Sequence, residues 1–125
     1  MKLFILLSAI AILTISESDC SSKKRTIGKY KARLEIKAIC SNYTIKLLEG
    51  HIDTSKISAK WTDEMTNKSY TDVFALANPC NFPDSIKQGT EFYFYIDTSF
   101  KKECIKCLAY YPTPPKKLPI RVISK

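Results

Sequence analysis

Apolar and charged residues alternate along residues 30–39, where Ala32, Leu34 and Ile36 are each followed by a charged residue. Successive side chains of a β-strand point to opposite faces, so this period of two predicts a strand with one buried and one solvent-facing side. The solvent-facing side would carry Lys31, Arg33, Glu35 and Lys37.

Further strands are predicted at residues 43–48, 57–61, 70–77, 91–96 and 118–123. The strongest is 91–96, which contains four consecutive aromatic residues, a composition typical of strands. A turn at Gln88-Gly89 precedes it. Residues 118–123 contain Pro119, which predicts an edge strand. No segment has a clear helical period, so the chain is predicted to be all-β, as a small barrel or sandwich.

The first 18 residues predict a secretory signal peptide. Lys2 precedes an apolar run over residues 3–15, and the small residues Ser16 and Ser18 follow it. The run is shorter than the roughly 20 residues that span a bilayer, which disfavours a membrane anchor. Residues 19–125 are therefore predicted to form a single secreted β-domain, with a basic N-terminal arm and a Pro-rich C-terminal segment.

Five cysteines are expected to form a disulfide framework in an oxidising compartment: Cys20, Cys40, Cys80, Cys104 and Cys107. Because the number is odd, one thiol stays free or links two chains as a dimer, and the sequence leaves the pairing open. Cys104 and Cys107 form a C-x-x-C motif. No helix is predicted beside it, so structural cysteines are favoured over redox chemistry.

Composition argues against most enzyme classes. The chain has one His and three Gly, and it contains neither a Gly-rich nucleotide loop nor a G-x-S-x-G motif. We therefore expect no catalytic residues, no metal and no cofactor.

The net charge of +8, from 20 Lys and Arg against 12 Asp and Glu, favours a polyanionic partner. Basic residues gather near both ends of the predicted domain, and if these ends lie together, one face becomes strongly positive. The candidate binding residues are Lys23, Lys24, Arg25, Lys29, Lys101, Lys102, Lys116, Lys117 and Arg121. A solvated surface kept soluble by its charge is the alternative interpretation.

Phe92 and Phe94 alternate with Tyr93 and Tyr95, so two rings are expected on each face of their strand. We expect one pair in the core and one on a partly covered face. A base-stacking platform is disfavoured because a secreted protein rarely meets single-stranded nucleic acid. The Pro-rich residues 111–115 are predicted to be a stiff connector rather than a P-x-x-P ligand.

Two sequons accompany the predicted signal peptide, at Asn42 and Asn67. Each fits the N-x-[ST] acceptor pattern, so both are candidate glycosylation sites.

Residues 29–40, ending in Cys40, resemble the entry strand of netrin-like modules. Residues 80–96 resemble the cysteine, loop, glycine and aromatic strand of that superfamily, which includes the tissue inhibitors of metalloproteinases. Cys104 and Cys107 fall where such modules carry a close pair of cysteines. The resemblance spans residues 29–107 and implies a closed or partly open barrel of the oligonucleotide/oligosaccharide-binding type, stapled by disulfides.

The sequence also departs from that superfamily, since it has five cysteines rather than six and a Pro-rich segment in place of a helical tail. A transthyretin-like β-sandwich is the alternative fold, supported by residues 45–49 after a cysteine. In the metalloproteinase inhibitors, the α-amino group of an N-terminal cysteine chelates the zinc of the target enzyme. Only Cys20 could take that role here, and it would require cleavage directly before it.

These observations predict a secreted, non-enzymatic binding module that recognises an extracellular partner, either an acidic protein or a sulfated glycan. A protease inhibitor acting through Cys20 is the alternative.

Overall fold

The computed structural model describes residues 28–99 and 107–123. The described strands are β1 Tyr30–Lys37, β2 Tyr43–Glu49, β3 Ser58–Asp63, β4 Lys68–Leu76, β5 Glu91–Ile96, β6 Lys117–Leu118 and β7 Ile120–Val122. Single 3₁₀ turns at Ile39–Ser41 and Pro79–Asn81 are the helical elements of this part of the chain. The all-β prediction is therefore confirmed.

All seven strands belong to one sheet, in which the order β3-β4-β2-β1-β5-β7 is antiparallel throughout. The sheet is not closed. The short strand β6 pairs in parallel with β4, whereas β7 pairs with β5. Pro119 alone separates β6 from β7, so the segment predicted as an edge strand contacts two strands that lie far apart in the sheet order. That edge-strand prediction was incomplete.

Period-two burial in β1 and β5 creates the core. Ala32 and Leu34 are fully buried. Phe94 packs against Phe74 of β4, with 5.9 Å between the two ring centroids. Phe92 meets Phe82 edge to face at 5.6 Å. Burying a Leu or Phe side chain contributes about 1.5–3 kcal/mol because it leaves water, so these residues stabilise the sheet.

The chain from 107 to 123, which we call the C-terminal strap, runs over the sheet and is fastened at several points. At its start, Cys107 forms a disulfide with Cys40, 67 residues earlier, with 5.3 Å between the Cα atoms. The side-chain amide of Asn42 then donates to the carbonyl of Ala109 at 2.8 Å. A disulfide that closes the 67-residue loop between Cys40 and Cys107 stabilises the fold by about 4 kcal/mol in the chain-entropy model.

The disulfide answers part of the pairing question that the sequence left open. Because Cys107 bonds to Cys40, it does not form the disulfide within the C-x-x-C motif that a redox function would require. Cys80 is disulfide-bonded as well. Cys20 and Cys104 lie outside the described residues.

The middle of the strap packs closely against the sheet. Pro114 is fully buried, and the carbonyl of Lys116 accepts a hydrogen bond from the amide of Ala75 in β4. The predicted connector is thus an integral layer of the fold. It positions the residues that follow it, which pair with β4 and then with β5.

Asn78 fixes the point where the strap changes partner. Its side chain is buried, and it both accepts a hydrogen bond from the backbone N–H of Ile120 at 2.9 Å and donates one to the carbonyl of Ile120 at 2.7 Å. A side-chain amide thereby replaces one rung of a β-ladder beside Pro119.

We expect Asn78→Ala to lower the free energy of unfolding by about 2–4 kcal/mol, because both buried backbone groups of Ile120 lose their partner. Urea denaturation followed by the fluorescence of Trp61 measures the change. Asn81→Ala is the matched control, since Asn81 is exposed in the 3₁₀ turn that directly follows Asn78. Equal stability of the two variants would contradict this role of Asn78.

Candidate binding surface

The outer side of β1, β5 and β7 brings basic and aromatic side chains together. Tyr30 pairs with Phe94, and Phe94 pairs with Val122, so the residues between these core positions line up on the opposite face. Phe92 and Phe94 are buried and Tyr93 and Tyr95 are half-buried, so one pair lies in the core and the other on a partly covered face, as predicted. We call this surface the aromatic–basic face; it comprises Lys29, Lys31, Tyr93, Tyr95 and Arg121.

Tyr93 lies at the centre of this face. The ammonium group of Lys29 lies 4.5 Å from the centroid of its ring, and that of Lys31 lies 5.7 Å away. A cation over an exposed ring is stabilised by about 0.5–1 kcal/mol. Lys29 is exposed, and within the described residues its ammonium group pairs with no carboxylate.

Carboxylates neutralise two other cations of the face. Lys31 lies 3.3 Å from Glu91 and 3.8 Å from Glu49, and the hydrogen bond to Glu91 raises the pKa of Lys31 above its ordinary value. Arg121 lies 3.5 Å from Asp97. The charge available to a partner is therefore smaller than the sequence count indicates.

Asp97 is held in its ionised form chiefly by Ser99. The hydroxyl of Ser99 donates to its carboxylate at 2.6 Å and the amide of Ser99 donates at 3.0 Å, which lowers the pKa of Asp97; Arg121 adds a weaker effect. The side chain of Arg121 keeps more than half of its surface exposed. It can therefore still bind an anion from solution.

Lys117 extends the face along the strap. Leu118 and Ile120 are buried, so Lys117 and Arg121 project from the other side of the same extended segment. Four residues at about 3.3 Å each separate them by roughly 13 Å. Lys116 is also exposed, although its backbone is bound to β4.

Five of the candidate binding residues predicted from the sequence lie outside the part of the chain that the structure describes: Lys23, Lys24, Arg25, Lys101 and Lys102. The sequence pattern did not select Lys31 or the two tyrosines as members of a binding site. The register of β1 with β5 brings them together, and strand alternation alone gives only their common face.

An apolar groove of about 540 Å³ opens beside Tyr93. Ile86, Phe92 and Val122 line it, and Lys31 and Glu91 lie at its polar margin. A ring or chain that rests on Tyr93 therefore has a concave, partly apolar surface next to it.

A second cavity, of about 490 Å³, lies at the other end of β1 between the β3–β4 turn and the strap. We call it the charged cleft; its lining includes Glu35, Lys37, Asp63, Lys68, Tyr70 and Tyr111. Asp63 is fully buried, and it accepts hydrogen bonds from the amide of Met65 at 2.9 Å and the hydroxyl of Tyr111 at 3.0 Å. Asp63 thus joins the strap to the β3–β4 turn.

This carboxylate affects both tyrosines. The hydrogen bond to Asp63 is the main reason why the pKa of Tyr111 is raised above its ordinary value. Burial is the main reason why the pKa of Tyr70 is raised, and the charges of Asp63 and Glu35 add to it. Both phenols therefore stay protonated to higher pH than a free tyrosine.

The two sequons differ in their surroundings. Asn67 is exposed in the β3–β4 turn, where its φ of 56° suits asparagine, and within the described residues its side chain makes no hydrogen bond. Asn42 is partly buried, and its amide nitrogen donates to the carbonyls of Ile39 and Ala109, at 2.8 Å each. Both protons of the Asn42 amide are thus in use.

Residues 28–99 and 107–123 contain no group of three or more His, Cys, Asp or Glu side chains able to hold a metal ion. No helix in the same ranges is long and apolar enough to cross a membrane.

Because the pKa of Tyr111 is raised by folding, its protonated hydroxyl stabilises the fold below the ordinary tyrosine pKa of about 10. That contribution is lost as the pH rises through the folded-state pKa. We expect Tyr111→Phe to lower stability at neutral pH and to lose less stability than the wild type on going from about pH 8 to about pH 11. Urea midpoints across this range test it, with Tyr110→Phe as the exposed control. Parallel alkaline losses in Y111F and the wild type would contradict the assignment.

Comparison with protein-family models, with curated proteins and with solved structures finds no match for this chain. The resemblance to netrin-like modules, and its transthyretin-like alternative, stay predictions.

Proposed function

We propose that this chain is a secreted, non-enzymatic binding module that recognises an extracellular sulfated glycan through the aromatic–basic face. The observation that carries the proposal is the exposed ammonium group of Lys29 over the ring of Tyr93, with no carboxylate partner in the described part of the chain. The Cys40–Cys107 disulfide supports an oxidising compartment. Cys20, on which the alternative of protease inhibition depends, lies outside the described residues.

The chemistry of the face suits a sulfated sugar better than an isolated small anion. Sulfate groups are attracted to Lys29, Arg121 and Lys117, which are spread along one surface rather than gathered into a single pocket. The C–H groups of a sugar ring pack against an aromatic face, and Tyr93 presents one beside the apolar groove. A small anion would use the cations and leave the groove empty.

We expect the double variant Lys29→Ala/Arg121→Ala to elute from immobilised heparin at clearly lower salt than the wild type, because two accessible cations of the face are removed. Lys56→Ala/Lys60→Ala removes the same charge from the β2–β3 loop and from β3, at the far end of the sheet order from β7. This control should elute close to the wild type. Equal losses in both double variants would show that net charge alone governs retention.

Tyr93→Leu tests the aromatic contribution at constant charge. We expect it to weaken heparin retention by removing the sugar-packing surface, while an inorganic polyphosphate column, which offers no sugar ring, discriminates little between the variant and the wild type. Equal retention of Y93L and the wild type on heparin would favour an acidic protein or simple charge attraction over a sulfated glycan.

Glycosylation belongs to the same proposal, with Asn67 as the site that the fold accommodates. A glycan at Asn42 would replace one of two amide protons that bind Ile39 and Ala109, whereas Asn67 is exposed and free of such bonds within the described residues. In a eukaryotic secretory host, we expect Asn67→Gln to abolish the mass shift on enzymatic deglycosylation and Asn42→Gln to preserve it. The reverse pattern would overturn this assignment.

A further inference from the structure

Four large apolar side chains in the described residues are mostly exposed: Ile39 at 62%, Met65 at 69%, Leu108 at 90% and Tyr110 at 79%. All four lie beside points where the strap is fastened. Single exposed apolar residues are ordinary in proteins, but a group of them on one surface marks an interaction site. We call this group the apolar rim.

Specific bonds place the members of the rim near one another. Ile39 and Leu108 are the chain neighbours of Cys40 and Cys107, whose Cα atoms lie 5.3 Å apart. Tyr110 precedes Tyr111, which donates to the carboxylate of Asp63, and the amide of Met65 donates to the same carboxylate.

Two residues with an unusual backbone conformation follow Ile39. Cys40 and Ser41 both adopt the left-handed region, with φ of 55° and 58°, although neither is glycine. Such conformations persist where surrounding contacts enforce them, and here the disulfide and the Asn42 bonds do so. Ile39, the residue directly before them, is exposed.

The charged cleft lies directly behind the rim. Ala38, Thr66 and Tyr111 line it, and each of them is adjacent in the chain to a rim residue. A partner that rests on the rim would therefore reach into the cleft.

The accessible charge of this cleft is positive. The ammonium group of Lys68 lies 5.3 Å from the ring centroid of Tyr70, and that of Lys37 donates to backbone carbonyls; in the described residues neither pairs with a carboxylate. The acidic groups are already occupied. Glu35 accepts from Arg33 at 2.8 Å, and Asp63 is buried beneath two hydrogen bonds.

The strap also offers unpaired backbone at the rim. Residues 108–110 belong to no strand, and within the described chain the carbonyl of Ala109, bound by Asn42, is the only backbone group of these three residues that makes a hydrogen bond. Within the described chain, residues 108–110 thus have no strand partner, which is the feature that recognition by strand addition uses.

We propose that the apolar rim and the charged cleft bind an extended segment of a partner protein, which places an acidic side chain at Lys68 and apolar side chains on Ile39, Leu108 and Tyr110. This site is separate from the aromatic–basic face. Lys29 directly precedes β1 and Lys37 ends it, and eight residue steps of about 3.3 Å set them roughly 26 Å apart. A failure of heparin binding would therefore count against the aromatic–basic face alone and not against this site.

The test uses two blocked synthetic peptides that differ at one position. In each peptide the middle residue lies between Val and Leu, and Ser-Gly follows at both ends for solubility. The middle residue is Glu in one peptide and Lys in the other. We expect millimolar Glu peptide to shift the backbone amide signals of Ile39, Lys68, Leu108 and Tyr110 in the ¹⁵N-labelled protein, and to bind roughly tenfold more tightly than the Lys peptide.

Charge reversal gives the decisive comparison. Lys68→Glu should invert the preference between the two peptides, whereas Lys60→Glu, an equal charge change on the other face of the β3–β4 hairpin, should preserve it. Leu108→Ser/Tyr110→Ser should weaken binding of the Glu peptide by roughly tenfold. Both side chains are exposed, so the amide spectrum elsewhere should be unchanged.

Several outcomes would overturn the proposal. The peptides could cause no shifts, or shifts confined to Lys29 and Tyr93, which would indicate attraction to the aromatic–basic face. K60E and K68E could change the preference equally, which would indicate a net-charge effect. Rim signals that move with protein concentration in the absence of peptide would make a second copy of the chain the occupant.

Discussion

The double pairing of the strap is the constraint on which the rest of this structure depends. Strands β6 and β7 are separated only by Pro119, yet they pair with β4 and β5, which lie far apart in the sheet order. Proline has no N–H group and cannot continue a ladder, so it suits the position where the partner changes. Its carbonyl still accepts from the amide of Asp97, and Asn78 supplies the next pair of bonds through Ile120.

Both proposed surfaces are assembled by this same segment. The end of the strap carries Arg121 to the side of Tyr95, and the start of the strap carries Leu108 and Tyr110 to the end of β1. Three sets of bonds therefore both stabilise the fold and position these surfaces: the Cys40–Cys107 disulfide, the Asp63–Tyr111 hydrogen bond and the Asn78 hydrogen bonds. A loss of any one of them would disturb a surface as well as the stability of the fold.

Local ion pairs, rather than the net charge of +8, decide what a partner meets. Glu49 and Glu91 occupy Lys31, and Asp97 approaches Arg121, so the aromatic–basic face depends chiefly on Lys29 and on the exposed part of Arg121. The arrangement in the charged cleft is similar. Glu35 forms an ion pair with Arg33, while Lys68 lies near the ring of Tyr70 and is exposed to solvent. The composition predicts that a partner is negatively charged, and the ion pairs decide which basic residues stay accessible to it.

The sequence by itself determined the approximate positions of the strands and the buried face of β1, because alternation along a strand is a local property of backbone geometry. It thus predicted that one aromatic pair of β5 lies in the core, and it predicted the exposed side of β1 and the turn at Gly89, whose φ is 88°. Only the tertiary structure decided that Cys40 bonds to Cys107, that the last segment pairs with two strands, and that Lys29 meets Tyr93. These contacts join residues tens of positions apart, and their choice depends on the packing of the whole chain rather than on any local pattern.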